Sequence, residues 1–329
     1  MTAPLIPRAS TLRAPLSPLD DRVLRGMALM VLFCIVAPLI DVASKLAAQN
    51  VPVGVVTLGR FLVQGALMAP IVIALRLPFA IPRGARTLSL GRAVFNIVST
   101  ITFVAAVKVM PIADALAIAF VEPFIILLIG ALVLKEHVGP RRLIAALIGF
   151  GGALLVIQPS FARFGLTALL PLGTAASFAA YMLVTRSLSR RVHPVAMQLH
   201  TSVLAAPLMA AVLLVGDGAG IASLRLTLPT GIDWLWCLGV GLMATISHMA
   251  MTYALRFAPS ATLAPLHYLE IVMATLLGWA IFGDFPGGMV WGGIAVIVGS
   301  GLYIIWRERQ APPAPRPAPR AAGSPPPGH

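Results

Sequence analysis

Charged side chains are scarce in this sequence, at 11% of 329 residues, where a water-soluble domain carries roughly a quarter. A chain of this length with so few charges cannot solvate its own surface, so bulk disorder is excluded and a soluble globular enzyme is not expected. Cysteine is almost missing: Cys34 and Cys237 both lie in or beside apolar segments, which excludes a disulfide framework. No short apolar leader precedes the first long apolar run. The first 24 residues are polar and carry Pro4, Pro7, Pro15 and Pro18, so a cleaved signal peptide is not expected. Chemical signatures are missing as well. There is no G-x-x-x-x-G-K-[ST] phosphate loop, which argues against ATP as a driver within this chain. There is no HExxH or CxxC metal pattern and no G-x-S-x-G elbow. No metal and no cofactor are expected.

What the chain has in abundance is hydrocarbon. Hydrophobic residues make up 59% and the mean hydropathy is +0.94. They arrive in runs near twenty long, the length a bilayer asks of a helix. Ten such runs can be marked, at 26–46, 55–75, 89–108, 112–134, 142–159, 166–186, 194–214, 233–255, 260–282 and 286–306. The longest connection, 215–232, holds Gly216, Asp217, Gly218, Gly220 and Pro229 as turn formers. The net charge of +13 does not form a basic stripe, so a nucleic-acid partner is not expected. The basic residues sit mostly in the gaps between runs. With the N-terminus inside, 19 of them fall on the cytoplasmic side and Lys108, Arg163 and Arg225 on the other. That bias argues for an even number of spans, both termini inside, and an inner-membrane location with the lipid bilayer as obligate partner. The segments 1–25 and 307–329 are then cytoplasmic, and the Pro-rich tail has no apolar run.

The sequence also repeats itself. A shift of 148 residues lays 111–158 on 259–306 without a gap. Pro111 meets Pro259, Ala113 meets Ala261, Glu122 meets Glu270, Gly130 meets Gly278, Gly139 meets Gly287 and Gly151 meets Gly299. Two five-span units follow, 26–159 and 166–306. Because five is odd, the second inserts upside down relative to the first, an arrangement recurrent in secondary transporters. The expected fold is therefore all-α and polytopic, with ten transmembrane helices as two inverted five-helix repeats.

Specific stretches carry a family likeness. The fourth run opens with Pro111-Ile-Ala-Asp-Ala-Leu and ends in Leu134-Lys135-Glu136. The ninth holds Tyr268-Leu269-Glu270 and ends in Phe282-Gly283-Asp284-Phe285-Pro286, and the tenth has Gly299-Ser-Gly-Leu-Tyr303 before Trp306-Arg-Glu308. These stretches resemble the repeat ends of the drug/metabolite transporter superfamily, EamA type, over about 26–308. The resemblance implies a ten-helix secondary carrier of a small metabolite. It leaves riboflavin, S-adenosylmethionine, an amino acid or a drug open as cargo, by import or export. The proline of Glu122-Pro123 is not repeated at Glu270-Ile271, so the halves need not act identically.

The candidate site rests on polar residues inside the apolar runs. An ionised side chain at the bilayer centre costs about 2.5–3.5 kcal/mol on insertion scales, so it persists when it faces a cavity, finds a partner or handles protons. Glu122 and Glu270 are each twelfth from the proline that opens their run, which puts both near the midplane. His267 precedes Glu270 by three residues and shares its helix face. Tyr268 lies beside it, and Pro265 is expected to interrupt the same helix. Arg60 and Asn96 are candidates for cargo contact, and Arg60 can neutralise Asp41, Asp114 or an anionic substrate. Asp41 is expected to pair with Lys45 four residues on. His248 and Tyr181 complete the candidates, around a cavity between the third, fourth, eighth and ninth spans. Ala145-xxx-Gly149 and Ala295-xxx-Gly299 have the spacing for close helix approach, suited to packing and to a homodimer contact. Two other readings compete: an intramembrane enzyme built on His248 or His267, and a non-transporting scaffold or receptor. The scaffold has no need of paired midplane carboxylates.

Overall fold

The apolar runs are helices in the computed structural model, which describes residues 18–132, 140–267, 269–285 and 287–310. In chain order they are α1 (Pro18–Ala47), α2 (Val53–Ala74), α3 (Arg86–Val109), α4 (Ile112–Ala119), α5 (Glu122–Leu132), α6 (Pro140–Phe164), α7 (Leu169–Leu188), α8 (Pro194–Gly218), α9 (Asp233–Phe257), α10 (Ser260–His267), α11 (Leu269–Phe282) and α12 (Gly288–Gln310). No strand occurs among the described residues. Six helices (α1, α2, α3, α7, α8 and α9) are long and apolar enough to cross a membrane by length and composition. The N-terminal segment before Pro18, Glu136, Tyr268 and the Pro-rich tail beyond Gln310 lie outside the described residues.

Proline sets several helix starts, because its missing N–H is not needed in a first turn. Pro194 opens α8, whose N-cap His193 accepts from the Val195 N–H at 3.4 Å. Pro111 and Pro259 precede α4 and α10. The fourth run is not one helix. At Phe120–Val121 the ladder tightens, with the Val121 N–H donating to Ile118 O at 3.3 Å, and α5 restarts at Glu122. Pro123 has no N–H to offer Ala119, so a continuous ladder is broken there in any case. The ninth run corrects an expectation: α10 continues through Pro265 to His267. Pro265 is sixth in α10, so the helix runs on without the ladder bond that its N–H would have given the Ala261 carbonyl.

Polarity is inverted relative to a water-soluble protein. Large apolar side chains stand exposed along the long helices, such as Leu32 and Ile35 on α1, Leu62 and Ile73 on α2, Val203 and Val215 on α8, and Leu238 on α9. Gln64, Arg92, Asn96, Gln198, Ser247 and Thr252 are buried instead. Contiguous apolar surface on that scale is what a lipid environment accepts and water does not. The helices associate in pairs: α1 lies along α9, α3 along α7, α2 along α8, and α6 along α12. α4 meets α11 and α5 meets α10, so the two divided segments cross in opposite directions. Close approach needs small residues. A Cβ on Gly241 of α9 would fall 2.4 Å from the Val63 Cβ of α2, so only glycine keeps that seam closed.

The expected Asp41–Lys45 pair does not form. Lys45 Nζ lies 2.9 Å from Asp284 Oδ2 and 4.5 Å above the Phe282 ring, while Asp41 turns into the protein. At the end of α1 the ammonium reaches water and the α11 terminus together, whereas pairing with Asp41 would bury it. Both partners are partly exposed, at 14% and 29%, so the pair contributes at most about 1 kcal/mol. Either charge reversal, Lys45→Glu or Asp284→Lys, should lower thermal stability by a degree or two, and the double reversal should restore it. Additive losses in the double variant would show that the pair contributes nothing.

Candidate functional site

Two buried polar networks meet at one cavity. The first is built on helix ends. Glu122 stands in the first turn of α5 and Glu270 in the first turn of α11, where the helix field favours a carboxylate. His267 stands in the last turn of α10, where a cationic ring is favoured. The crossing of the two divided segments brings the three together. His267 Nε2 lies 2.7 Å from Glu270 Oε2, and Nδ1 lies 3.5 Å from Glu122 Oε2. The imidazole thus stands between two carboxylates at ion-pair distance, with neither ring nitrogen aligned for a hydrogen bond, and all three residues are buried. A phenylalanine box surrounds the ring, with centroids at 5.1 Å for Phe33, 5.7 Å for Phe120 and 5.9 Å for Phe178. Glu122 Oε1 finds no hydrogen-bond partner. Each ring nitrogen faces a different carboxylate, so the trio does not converge on one point as metal ligands do, and it can pass a proton from one side of the ring to the other.

The second network is a chain of donors and acceptors. Arg60 on α2 donates to Thr100 Oγ1 and, at 2.8 Å, to His248 Nε2. A guanidinium has no acceptor, so Nε2 must offer its lone pair, and Nδ1 then holds the proton that faces Tyr181 Oη at 2.8 Å. Arg92 donates to the same Tyr181 Oη at 2.7 Å. Arg92 is fully buried, and all five of its N–H groups have acceptors. They are Thr185 Oγ1 at 2.8 Å, Met197 O at 3.3 Å, Thr201 Oγ1, Tyr181 Oη and Gln198 Oε1 at 3.4 Å. Its guanidinium also lies 4.6 Å over the Tyr181 ring. α3, α7 and α8 are thereby joined through one side chain.

The cavity has a volume of about 90 Å³, smaller than the roughly 300–1,000 Å³ of pockets that enclose a drug-sized ligand. Glu122, Glu270, His267, Arg60, Asn96, Asp41 and His248 line it. Tyr181 stands behind His248 and is not on the wall. Asp114 is half-buried away from the cavity. Arg60 has no carboxylate within 4 Å among the described residues, so its expected acidic partner is replaced by Thr100 and His248. Beyond the spans expected to enclose the cavity, α1 contributes Phe33 beside the candidate Asp41, and α7 contributes Thr174 and Phe178 where Tyr181 was the candidate. Arg92 was counted as a cytoplasmic surface charge. The side chain in fact turns inward from the start of α3, and nothing in the sequence separates the two outcomes.

The EamA-like transporter family matches residues 24–158 and 165–306. A riboflavin transporter of Rhizobium johnstonii is 33% identical over 227 residues, covering 68% of this chain and 72% of the relative. An S-adenosylmethionine uptake transporter of Rickettsia felis is 21% identical, over 71% and 79% of the two chains. A pseudopaline exporter of Pseudomonas aeruginosa is 24% identical, over 84% and 95%. A solved crystal structure, 21% identical, superposes with a TM-score of 0.66 over 88% of this chain and 99% of the other, a likeness of fold.

Proposed function

We propose a cargo and a driving force for this chain from one premise: it belongs to the EamA-like transporter family. It is a membrane protein that transports a small molecule. The cargo we assign is riboflavin or a close flavin, moved across the bacterial inner membrane by alternating access and driven by protons. Both termini face the cytoplasm in this reading, by the 19-to-3 bias of basic residues.

The arrangement that carries the proposal is His267 held between Glu122 and Glu270 on the wall of the cavity. A carboxylate–imidazole–carboxylate trio takes up and releases one proton without moving its heavy atoms far. When the proton is bound, less uncompensated charge must be carried through the low-dielectric core. The alternating motion finds support in the helix pairings. Suppose the chain is two inverted five-span units, 26–159 and 166–306. Exchanging the units turns α1 against α9 into α7 against α3, and leaves α2 against α8 and α6 against α12 unchanged. A two-fold axis in the membrane plane would produce that pattern, with the site on the axis. The flavin assignment draws on the phenylalanine-lined wall, which suits a flat ring system. It also draws on the relatives named riboflavin transporter, at 33%, 28% and 29% identity. An enzyme reading gains nothing here, since the histidine nitrogens of the site face carboxylates, Arg60 and Tyr181 rather than a serine or cysteine.

The test is riboflavin uptake into vesicles holding the purified protein, with and without an imposed proton gradient. Accumulation above equilibrium, abolished by a protonophore, is expected. Movement that ignores the gradient would sink the coupling, and no movement would sink the cargo.

A further inference from the structure

We propose that Asp41 relays protons between the water at the end of α1 and the His267 trio, as an entry carboxyl separate from the trio. The inference rests on the proton-driven reading and gives the proton a route. Asp41 lines the cavity at 8% exposure, and its Oδ2 has no hydrogen-bond partner. Lys45, four residues on, is held by Asp284 at 2.9 Å. Arg60 acts on Asp41 electrostatically but points its terminal nitrogens at Thr100 and His248. Neither cation forms an ion pair with Asp41 among the described residues. A buried carboxyl without a fixed counterion takes a proton readily and gives it up when the charge around it changes.

Its place along α1 suits the task. Lys45 lies one turn on, about 6 Å along the helix axis, and at 14% exposure it reaches water. In the other direction Phe33 lies about two turns back, with its ring 5.1 Å from the His267 ring. Asp41 thus stands between the wet end of α1 and the trio. The titratable and charged groups that share the wall are Arg60 on α2, Glu122 on α5, His248 on α9, His267 on α10 and Glu270 on α11. Glu270 also acts on Asp41 electrostatically. Among the described residues, α3, α4 and α7 add no titratable group to the wall. His248 cannot take the proton on, because its Nε2 lone pair already serves Arg60 at 2.8 Å. The trio does present an open acceptor, Glu122 Oε1. A hydronium at the end of α1 leaves its proton on the Asp41 carboxylate. The Asp41 O–H then donates to cavity water, which passes a proton to Glu122 Oε1, and Asp41 is a carboxylate again. A volume of about 90 Å³ has room for the several waters this takes.

The test compares Asp41→Asn with wild type in vesicles, with riboflavin uptake driven by an imposed membrane potential at equal pH. Initial uptake should fall at least about tenfold in the variant, since a positioned proton-transfer group contributes about 10²–10⁴-fold in enzymes. Riboflavin counterflow needs no net proton and should stay within about threefold, at an unchanged KM. Azide on both sides forms a small neutral acid that can carry protons into the cavity. It should restore uptake in the variant as its concentration rises and leave wild type unchanged. Asp41→Glu should stay within about threefold of wild type without azide. Uptake in Asp41→Asn as fast as wild type, a slow variant that azide does not restore, or lost counterflow overturns the relay. A raised counterflow KM makes Asp41 a cargo contact and overturns it too. Wild-type uptake that ignores the potential removes the proton coupling, and the relay falls with it. A second readout needs no cargo: on lowering the pH, the purified carrier should gain a carboxylic C=O infrared band that Asp41→Asn lacks. That band without riboflavin movement removes the cargo and keeps the proton site, and a band unchanged in the variant overturns the relay.

Discussion

Glu270→Gln should abolish proton-driven accumulation while leaving cargo exchange intact. The glutamine keeps the size of the side chain and its place at the start of α11. It cannot accept a proton at neutral pH, and His267 Nε2 then faces an amide where a carboxylate stood 2.7 Å away. Removing a positioned proton acceptor lowers rates by about 10²–10⁴-fold in enzymes, and uphill uptake should fall at least about a hundredfold here. Exchange of labelled for unlabelled cargo needs no net proton, so it should persist within about threefold of wild type. Glu122→Gln should act in the same direction but less, because its contact to His267 is 3.5 Å. The assay is paired uptake and counterflow in one vesicle preparation. Full accumulation in Glu270→Gln would remove the trio from the coupling mechanism. Loss of both activities would point to a folding role instead.

Arg92→Leu should be the most damaging substitution to stability. It removes one side chain and takes a donor from Thr185, Thr201, Tyr181, Gln198 and the carbonyl of Met197 together. Each buried polar group left short of a donor costs about 1–3 kcal/mol. The carrier should lose ten degrees or more in thermal unfolding in micelles, or fail to accumulate at all. Arg92→Lys keeps the charge but has three donors on one nitrogen and no planar fork, so it recovers only part of the loss. A Tm within two degrees of wild type for Arg92→Leu would show that water or a rearranged Gln198 replaces the guanidinium.

These two side chains also show what a sequence of this kind discloses. Glu270 was legible because an acid inside a long apolar run is conspicuous in one dimension, and the 148-residue shift pointed to Glu122 as its counterpart. The bridge between them was half legible. His267 lies one helical turn before Glu270, but its reach to Glu122 depends on how α10 crosses α5. The repeat could not supply it, since the residue 148 positions earlier is Ala119. Arg92 was misread for a physical reason. An arginine near a helix start serves a cytoplasmic loop or a buried fork equally well, and positive-inside counting assumes the loop. Phe33 and Phe178 were invisible because a phenylalanine in an apolar helix reads as lipid-facing until packing turns it inward. Lys45 looked like the partner of Asp41 because spacing along one helix is local, and the competing carboxylate of Asp284 is 239 positions away.

Phe33 and Phe178 have a further electrical effect. Each ring lies within 6.5 Å, centroid to centroid, of both imidazoles, His248 on one network and His267 on the other. Hydrocarbon is a poor conductor of hydrogen-bond chains, so the two rings act as an insulating partition. On one side stand permanent guanidinium charges and the groups they hold. On the other stand carboxylates whose charge is exchangeable. Under the proposed proton coupling, fixed and cycling charge would run on separate circuits, and the cavity is where both come to the same surface.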